Sequence, residues 1–281
     1  MIDAIVTGAK GFIGRALCSS LSEKGWEILP LSRSDGDVAN AQTWESLPPA
    51  RIVFHLAGRS FVPDSWRQMP EFVNTNVTGA SRALAYCKAH GAHLVFASGY
   101  VYGIPKRLPI REVDPISPNN PYALSKILAE QICDFWVSHQ GVTATALRIF
   151  NVFGPGQRKE FLIPTVVQQI RTSKEIRVLD FAPRRDYVYL TDVISALIKA
   201  SKVRESRFRA INIGSGQSLS VAEIVDKIQS VAGSRLPSFT DAYERCQEIP
   251  DVVADITLAE KLLGWTPTLT FEAGIAQLLK R

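Results

Sequence analysis

Thr7-Gly8-Ala9-Lys10-Gly11-Phe12-Ile13-Gly14 decides how the rest of the chain is read. A short apolar run, Ala4-Ile5-Val6, precedes it, and Phe12, Ile13, Ala16, Leu17 and Leu21 follow at helical spacing. The pattern is strand, glycine turn, helix. Glycines at i, i+3 and i+6 suit a turn that brings backbone close to a pyrophosphate. The helix start behind it offers free N–H groups and a positive dipole end. The spacing is a variant of the dinucleotide-binding fingerprint, with two residues between each pair of glycines.

Outward from that turn, strand-like and helix-like segments alternate. Residues 26–31 read as a second strand, and 51–57, a continuous apolar run, as a buried parallel strand. Residues 70–90 read as one long helix with Phe72, Val73, Val77, Ala80, Leu84 and Cys87 on one face. Strand 93–98, helix 121–139 opened by Pro121, and strand 142–149 follow. Alternation of this kind predicts an α/β fold, a Rossmann-type doubly wound parallel sheet. Beyond residue 150 the pattern loosens: a loop over 151–160, helices at 162–172, 191–200 and 220–232, and short strands at 176–179, 187–189 and 210–213. From Leu236 the chain reads as irregular until helices at 257–263 and 271–279. The expected division is a nucleotide-binding domain over 1–160, receiving later segments from about 186–213, and a smaller interleaved C-terminal substrate-binding lobe over 161–281.

Composition bounds the partners. The 281 residues are 46% hydrophobic and 21% charged, as in a globular chain. No apolar run reaches the ~18 residues of a membrane span, and no basic-then-apolar leader opens the chain. Cys18, Cys87, Cys133 and Cys246 are widely spaced and read as free thiols of a reducing, cytoplasmic setting. His55, His90, His93 and His139 show no metal-ligand spacing, so no metal is expected. The net charge of +5 suits an anionic small substrate; without a zinc pattern or a basic aromatic helix, nucleic acid is not an expected partner.

Three further features carry chemistry. At the end of the second strand, Leu31-Ser32-Arg33-Ser34 sets an arginine beside two hydroxyls where a carboxylate would mark NAD. Arg33 suits a 2′-phosphate, so NADP(H) is favoured over NAD(H), with Asp35 as the competing reading. Tyr122 and Lys126, at i and i+4, share one helix face. A nearby ammonium is expected to lower the phenol pKa and make Tyr122 a general acid/base. Ser98 ends a strand at the carboxyl edge of the sheet, where ligands of such folds bind.

Taken together with His55-Leu56-Ala57-Gly58, Asn76, Val101-Tyr102-Gly103, Arg148-Ile149-Phe150-Asn151-Val152-Phe153-Gly154-Pro155-Gly156, Arg185-Asp186-Tyr187-Val188-Tyr189-Leu190-Thr191-Asp192, Asn212-Ile213-Gly214-Ser215-Gly216 and Leu263-Gly264-Trp265-Thr266-Pro267, the chain resembles the extended short-chain dehydrogenase/reductases. These are NAD(P)-dependent nucleotide-sugar epimerases, dehydratases and reductases, and the resemblance runs through nearly the whole chain in order. It implies catalytic roles for Ser98, Tyr122 and Lys126. It implies cofactor contacts at Gly8, Gly11, Phe12, Ile13, Gly14, Arg33, Asp37, Val38, Leu56, Ala57, Gly58, Asn76, Tyr122 and Lys126. Asn151, Arg185 and Arg245 would join Ser98 on the nucleotide-sugar substrate, with the two arginines suited to its diphosphate. Two long helices, 70–90 and 121–139, would pair with a second subunit, making a homodimer.

The resemblance also narrows the reaction. Dehydratases of the family carry an Asp-Glu pair after the serine; this chain has Gly99-Tyr100. What remains is reduction at one carbon, or 4-epimerisation with a retained cofactor. The wording at residues 56–66, 98–99 and 148–157 is most similar to GDP-4-keto-6-deoxy-mannose reductases, although Tyr100 departs from the acidic residue expected there. The expected activity is an NADP(H)-dependent reductase at C4 of a nucleotide-diphosphate 4-keto-6-deoxy sugar. The alternatives are a 4-epimerase that retains NAD and a non-catalytic NADP-sensing regulator.

Overall fold

The run Ala4-Ile5-Val6 is buried on both sides, as a central parallel strand requires. Ala4 and Val6 join one hydrophobic core, whereas Ile5 joins the other. This strand, β1 (Ile2–Thr7), opens a computed structural model that describes residues 1–240 and 248–280. It is followed by α1 (Phe12–Glu23), β2 (Ile28–Leu31), α2 (Gln42–Glu45), β3 (Ala50–His55), α3 (Val62–Arg67) and α4 (Met69–Val73). A π-helical turn, Asn74–Thr78, leads into α5 (Gly79–His90), β4 (His93–Ser98), α6 (Pro121–Gln140) and β5 (Thr143–Ile149). The second half contains β6 (Asn151–Phe153), α7 (Leu162–Thr172), β7 (Ile176–Val178), β8 (Arg184–Tyr189) and α8 (Leu190–Ala200). It ends with β9 (Arg209–Ile213), β10 (Ser218–Ser220), α9 (Val221–Ala232), β11 (Ser238–Thr240), α10 (Thr257–Leu263) and α11 (Phe271–Leu279).

Among the described residues, the main sheet has the parallel order β2-β1-β3-β4-β5-β9. The winding reverses at β1, which lies between β2 and β3. Thr7 is the register partner of both Leu31 and His55, and Ser98 that of Arg148. These pairings line up the strand ends on one edge, with the crevice at the switch point. One face of the sheet is covered by α1 and α8, through Leu17, Leu21, Val193, Ile194 and Leu197. The other is covered by α5 and α6, through Ala80, Leu84, Cys87, Ala129 and Cys133. Each fully buried aliphatic side chain contributes roughly 1.5–3 kcal/mol of apolar transfer.

A separate core, built on Phe153, Val166, Ile176, Tyr189, Ile224 and Ile275, organises the C-terminal elements. The small sheet β10-β8-β6 carries the chain between the two halves. Asp192 ties the tail back: its carboxylate accepts from Thr268 and Leu269, while its carbonyl accepts from the buried Trp265 indole at 2.9 Å. That fastening explains the Leu263-Gly264-Trp265-Thr266-Pro267 stretch.

The doubly wound sheet expected from the alternation is present. Several local readings change. The expected helix 70–90 is interrupted by the π-helical turn, which swings Asn76, not Val77, fully inward. Residues 151–153, read as loop, form β6 because they pair with β8. Within the tail read as irregular, Ser238–Thr240 pairs in parallel with Ile176–Val178. The strands read at 26–31 and 51–57 occupy Ile28–Leu31 and Ala50–His55, shortened where the turn geometry takes over. Cys18, Cys87 and Cys133 are free, and burial pushes all three thiols up. Cys246 lies outside the described residues. Among the described residues no helix is long and apolar enough to cross a membrane, and no cluster could hold a metal.

Two core histidines carry a pH dependence. Burial, aided by the Lys126 charge, lowers His55 to about 3, and burial with the Arg204 charge lowers His93 to about 4. In the unfolded chain both return to ~6.5. Between pH 6.5 and about 4, the unfolded state therefore binds more protons, and stability falls on acidification. The two groups together are expected to remove about 4 kcal/mol between pH 7 and pH 5. Urea unfolding at the two pH values measures it. His93→Gln, which can still bond to Thr143, should remove about half of the change; an unaltered slope in that variant would contradict the assignment.

Candidate functional site

The glycine turn is held by close backbone approach. Gly8 adopts φ +69°, and a Cβ there would stand 2.8 Å from the Ala57 nitrogen, on the neighbouring strand end. Gly11 donates to the Gly8 carbonyl at 2.8 Å. Gly14 leaves no room at all: its Cβ would stand 2.1 Å from that same carbonyl oxygen. α1 starts immediately after Gly11, with no side-chain cap and no acidic residue in its first turn. Its first N–H groups are thus open to an anion. This cradle fits the pyrophosphate of a dinucleotide.

Beside it, the end of β2 makes a polar turn. Asp35 accepts from the Ser32 amide at 2.8 Å and from the Ser32 hydroxyl at 2.6 Å. These bonds lower its pKa and tie one carboxylate oxygen, Oδ2, into the turn. Lys10, from the glycine stretch, donates to Ser34 at 3.0 Å. Arg33 is exposed and makes no hydrogen bond or ion pair with the described residues. Lys10, Ser34 and Ser32 thus form one hydrogen-bonded cluster at the end of β2, with Arg33 exposed between the two serines. Asp37 and Val38 lie deeper: Asp37 accepts from the Ala39 amide, and the Val38 carbonyl accepts from the Trp44 indole.

Across the crevice, Asn76 is buried on the π-helical turn, a distortion found frequently at functional sites. Its amide spends both protons, on the Arg59 carbonyl (3.0 Å) and the Ser125 hydroxyl (2.8 Å), and its oxygen accepts from the Arg59 amide. It ties the loop after β3 to α6. Leu56 and Ala57 lead into that loop, and Gly58 lets it come close. A Cβ on Gly58 would stand 3.0 Å from the Asn76 oxygen and 3.2 Å from the Lys126 Nζ.

α6 is started by the Asn120 side chain, which accepts from the Ala123 amide at 2.8 Å, with Pro121 at the first helical position. This sets Tyr122 on the first turn, facing Gly99. The phenol oxygen lies only 2.3 Å from where a Gly99 Cβ would stand, so the absent side chain makes its place. The Tyr122 hydroxyl makes no hydrogen bond with the described residues. Lys126 is buried, and its Nζ donates to the Ala97 carbonyl at 2.8 Å and lies 4.9 Å over the Phe96 ring.

The expected lowering of Tyr122 is not what the structure shows. Burial pushes the phenol up to about 12. Burial also lowers Lys126 to about 8, against the opposing charge of Glu130. The physical reason is the aim of the ammonium, which is spent on Ala97 and the Phe96 ring. The Tyr122 phenol is thereby held protonated at neutral pH.

Ser98 does not stand free either. Its hydroxyl donates to Glu130 at 2.5 Å, and Glu130 is locked by Arg148 at 2.7 Å through Nη2 and 3.1 Å through Nε. Glu130 has no counterpart in the sequence reading. Its signal was a carboxylate four residues after Lys126, on a buried stripe with Ala129 and Cys133.

On the substrate side, Asn151 donates to the Asp186 carbonyl at 3.2 Å. Arg185 donates to the Ile249 carbonyl at 2.6 Å and pairs with Glu248. Tyr100 packs edge-on against Tyr102 and Phe150, and its hydroxyl donates to the Gly103 carbonyl at 2.6 Å. Arg245 lies outside the described residues. The strand ends thus bring together the glycine cradle, Ser98, Tyr122 and Lys126.

Comparison with known proteins gives concordant matches. The model of a family described as the NAD dependent epimerase/dehydratase family matches residues 4–214. The GDP-6-deoxy-D-mannose reductase of Pseudomonas aeruginosa is 31% identical, over 98% of this chain and 95% of its own. The UDP-glucose 4-epimerase of Corynebacterium glutamicum is 30% identical, over 95% of this chain and 91% of its own. The solved structure of RMD from Pseudomonas aeruginosa complexed with NADPH has a TM-score of 0.90 and 27% identity, covering 100% of this chain and 97% of that one.

Proposed function

The chain belongs to the NAD-dependent epimerase/dehydratase family, and from that premise we propose that it is an NADPH-dependent reductase acting at C4 of a nucleotide-diphosphate 4-keto-6-deoxy sugar, with GDP-linked substrates favoured. The observation that carries net reduction is the turn at the end of β2. Lys10 and Arg33 are exposed beside Ser32 and Ser34, while the competing Asp35 carboxylate accepts twice from Ser32 through Oδ2. Such a cluster suits a 2′-phosphate, while Asp35 is drawn through one of its oxygens into the turn. The complex of RMD with NADPH supports the same cofactor.

The cofactor, when bound, supplies the hydride. Gly8, Gly11 and Gly14 hold its pyrophosphate on the start of α1, with Phe12 and Ile13 contributing the first helical N–H groups. Leu56, Ala57, Gly58 and Asn76 shape the opposite wall, and Asp37 and Val38 the adenine end. Lys126 holds the ribose near the reacting centre. Tyr122, protonated at neutral pH, donates its proton to the C4 oxygen as the C=O bond becomes CH–OH. Ser98 contacts that same oxygen. Asn151, Arg185 and Arg245 receive the nucleotide sugar. We take residues 1–160 with part of 186–213 as the cofactor domain, and 161–281 as the substrate lobe.

A panel of GDP-, dTDP- and UDP-linked 4-keto-6-deoxy sugars with NADPH or NADH, followed by absorbance, tests the function. Stoichiometric NADPH oxidation with one of them is expected. The 30% identity to a UDP-glucose 4-epimerase favours a second reading, 4-epimerisation with a retained cofactor. Interconversion of C4 epimers without net cofactor consumption would establish that reading instead.

The homodimer is part of the proposal. An apolar groove where the π-helical turn and α5 meet α6, lined by Val77, Ser81, Leu128, Ile132, Phe135 and Trp136, leaves Phe135 57% exposed. Phe135→Glu is expected to convert a dimer to monomer in sedimentation equilibrium. A wild-type protein that sediments as a monomer would end this assignment.

A further inference from the structure

A serine hydroxyl has one proton to give, and a carboxylate can only accept it. Ser98 gives its proton to Glu130 at 2.5 Å. Glu130 is 2% exposed and cannot swing away. Arg148 grips both its oxygens, at 3.2 and 3.1 Å through Nε and at 2.7 Å through Nη2. Arg148 is itself fixed by donating to the Tyr102 hydroxyl at 2.9 Å and the Glu112 carbonyl at 3.2 Å, and Tyr102 donates on to Asn212 at 2.6 Å. Burial acts against the Arg148 charge, yet the bonds to Glu130 hold its pKa above the ordinary value. Such buried ion pairs are weak contributors to stability, so their placement calls for another explanation. Here the pair ends on Ser98, one residue before the glycine that makes room for the Tyr122 hydroxyl.

We propose that Glu130 is a positioning residue that makes Ser98 a hydrogen-bond acceptor toward the C4 oxygen, so that the site holds the C4 alcohol more tightly than the ketone. The proposal rests on the nucleotide-sugar reading above. Labour is divided between the two hydroxyls. Tyr122 is the donor, with a proton that none of the described residues accepts. Ser98 presents only lone pairs. A ketone oxygen offers Ser98 nothing to accept and sets lone pair against lone pair. Once the C4 oxygen has taken the Tyr122 proton and the phenolate has regained one from solvent, the new hydroxyl donates to Ser98 while accepting again from Tyr122. The network therefore favours the product side of the reduction. Glu130→Gln reverses the polarity: the amide oxygen stays with Arg148, the NH2 turns to Ser98, and the serine proton is released toward the substrate.

The test is calorimetric titration of non-reacting pairs: the 4-hydroxy sugar nucleotide with NADPH, and the 4-keto sugar nucleotide with NADP. In the wild type the alcohol should bind more tightly. Glu130→Gln should lower the alcohol-to-ketone affinity ratio by about 3- to 10-fold, the range of one hydrogen bond. Ser98→Ala should lower it similarly, and Glu130→Gln added to Ser98→Ala should change it no further. Ser98→Ala leaves the Glu130–Arg148 pair intact and so carries the test even where Glu130→Gln does not fold. A ratio unchanged by Ser98→Ala would overturn the proposal. So would an effect of Glu130→Gln that persists without the serine hydroxyl. Binding of no GDP-, dTDP- or UDP-linked sugar would overturn the nucleotide-sugar reading and this proposal with it, whereas binding with an unchanged ratio overturns this proposal alone.

Discussion

Tyr122→Phe lowers kcat by about 10²- to 10⁴-fold and leaves cofactor affinity and folding nearly unchanged; that is the expected result, on the usual contribution of a positioned acid. The hydroxyl makes no hydrogen bond with the described residues, so removing it breaks no structural contact. Its position is nonetheless specific. The Asn120 cap sets the start of α6, and the missing side chain at Gly99 leaves the space that the phenol oxygen occupies. Burial holds the phenol up to about 12, which keeps the proton available throughout the neutral range. Steady-state turnover with the sugar nucleotide identified by the panel, beside a fluorescence titration of NADPH, separates the two effects. Turnover equal to wild type would remove Tyr122 from the chemistry. A loss of NADPH binding equal to the loss of turnover would make it a binding residue only.

Gly14→Ala is the second large effect. The added methyl would stand 2.1 Å from the Gly8 oxygen, 2.8 Å from the Gly8 carbonyl carbon and 2.9 Å from the Ala9 Cα. All three are backbone atoms, so no side chain can rotate away. α1 must move off the turn, or the turn must open. Overpacking of this kind costs about 1–3 kcal/mol and sometimes more. The same displacement moves the helix N-terminus away from the pyrophosphate, so cofactor affinity should fall by at least about tenfold, the equivalent of ~1.4 kcal/mol. Urea unfolding and NADPH titration read the two losses separately. A variant with wild-type stability and affinity would mean that the packing at Gly14 is not what holds the cradle.

Much of the architecture was legible because it is periodic. β3 and β4 are continuous apolar runs, since both of their faces are covered. α6 could be read from Pro121 onward, and Tyr122 and Lys126 do share its inner side. The π-helical turn could not be read. Phe72, Val73, Val77 and Ala80 fit an uninterrupted helix, and nothing local announces that Asn76 will be drawn inward. The reason lies seventeen residues upstream, in the Arg59 backbone that Asn76 satisfies, and in Ser125 of α6. The lowering of the Tyr122 pKa failed for a related reason. Spacing places an ammonium on the same side as a phenol but does not say which oxygen it will address.

By itself, then, the sequence determined what depends on neighbours in the chain. The buried strands, the glycine turn with its uncapped helix, the cation at the end of β2 and the Tyr122–Lys126 face all belong to this class. Each is set by side-chain period, by backbone sterics or by residues within a few positions. Only the tertiary structure decided how the polar groups pair. Ser98 meets Glu130 and Glu130 meets Arg148 because β4 and β5 are in register, with Ser98 opposite Arg148, and α6 crosses above both. Most buried polar groups find a partner, and which partner they find is settled by packing between distant segments. That choice turns Ser98 from a free hydroxyl into a committed donor, and it leaves the Tyr122 hydroxyl without an acceptor among the described residues.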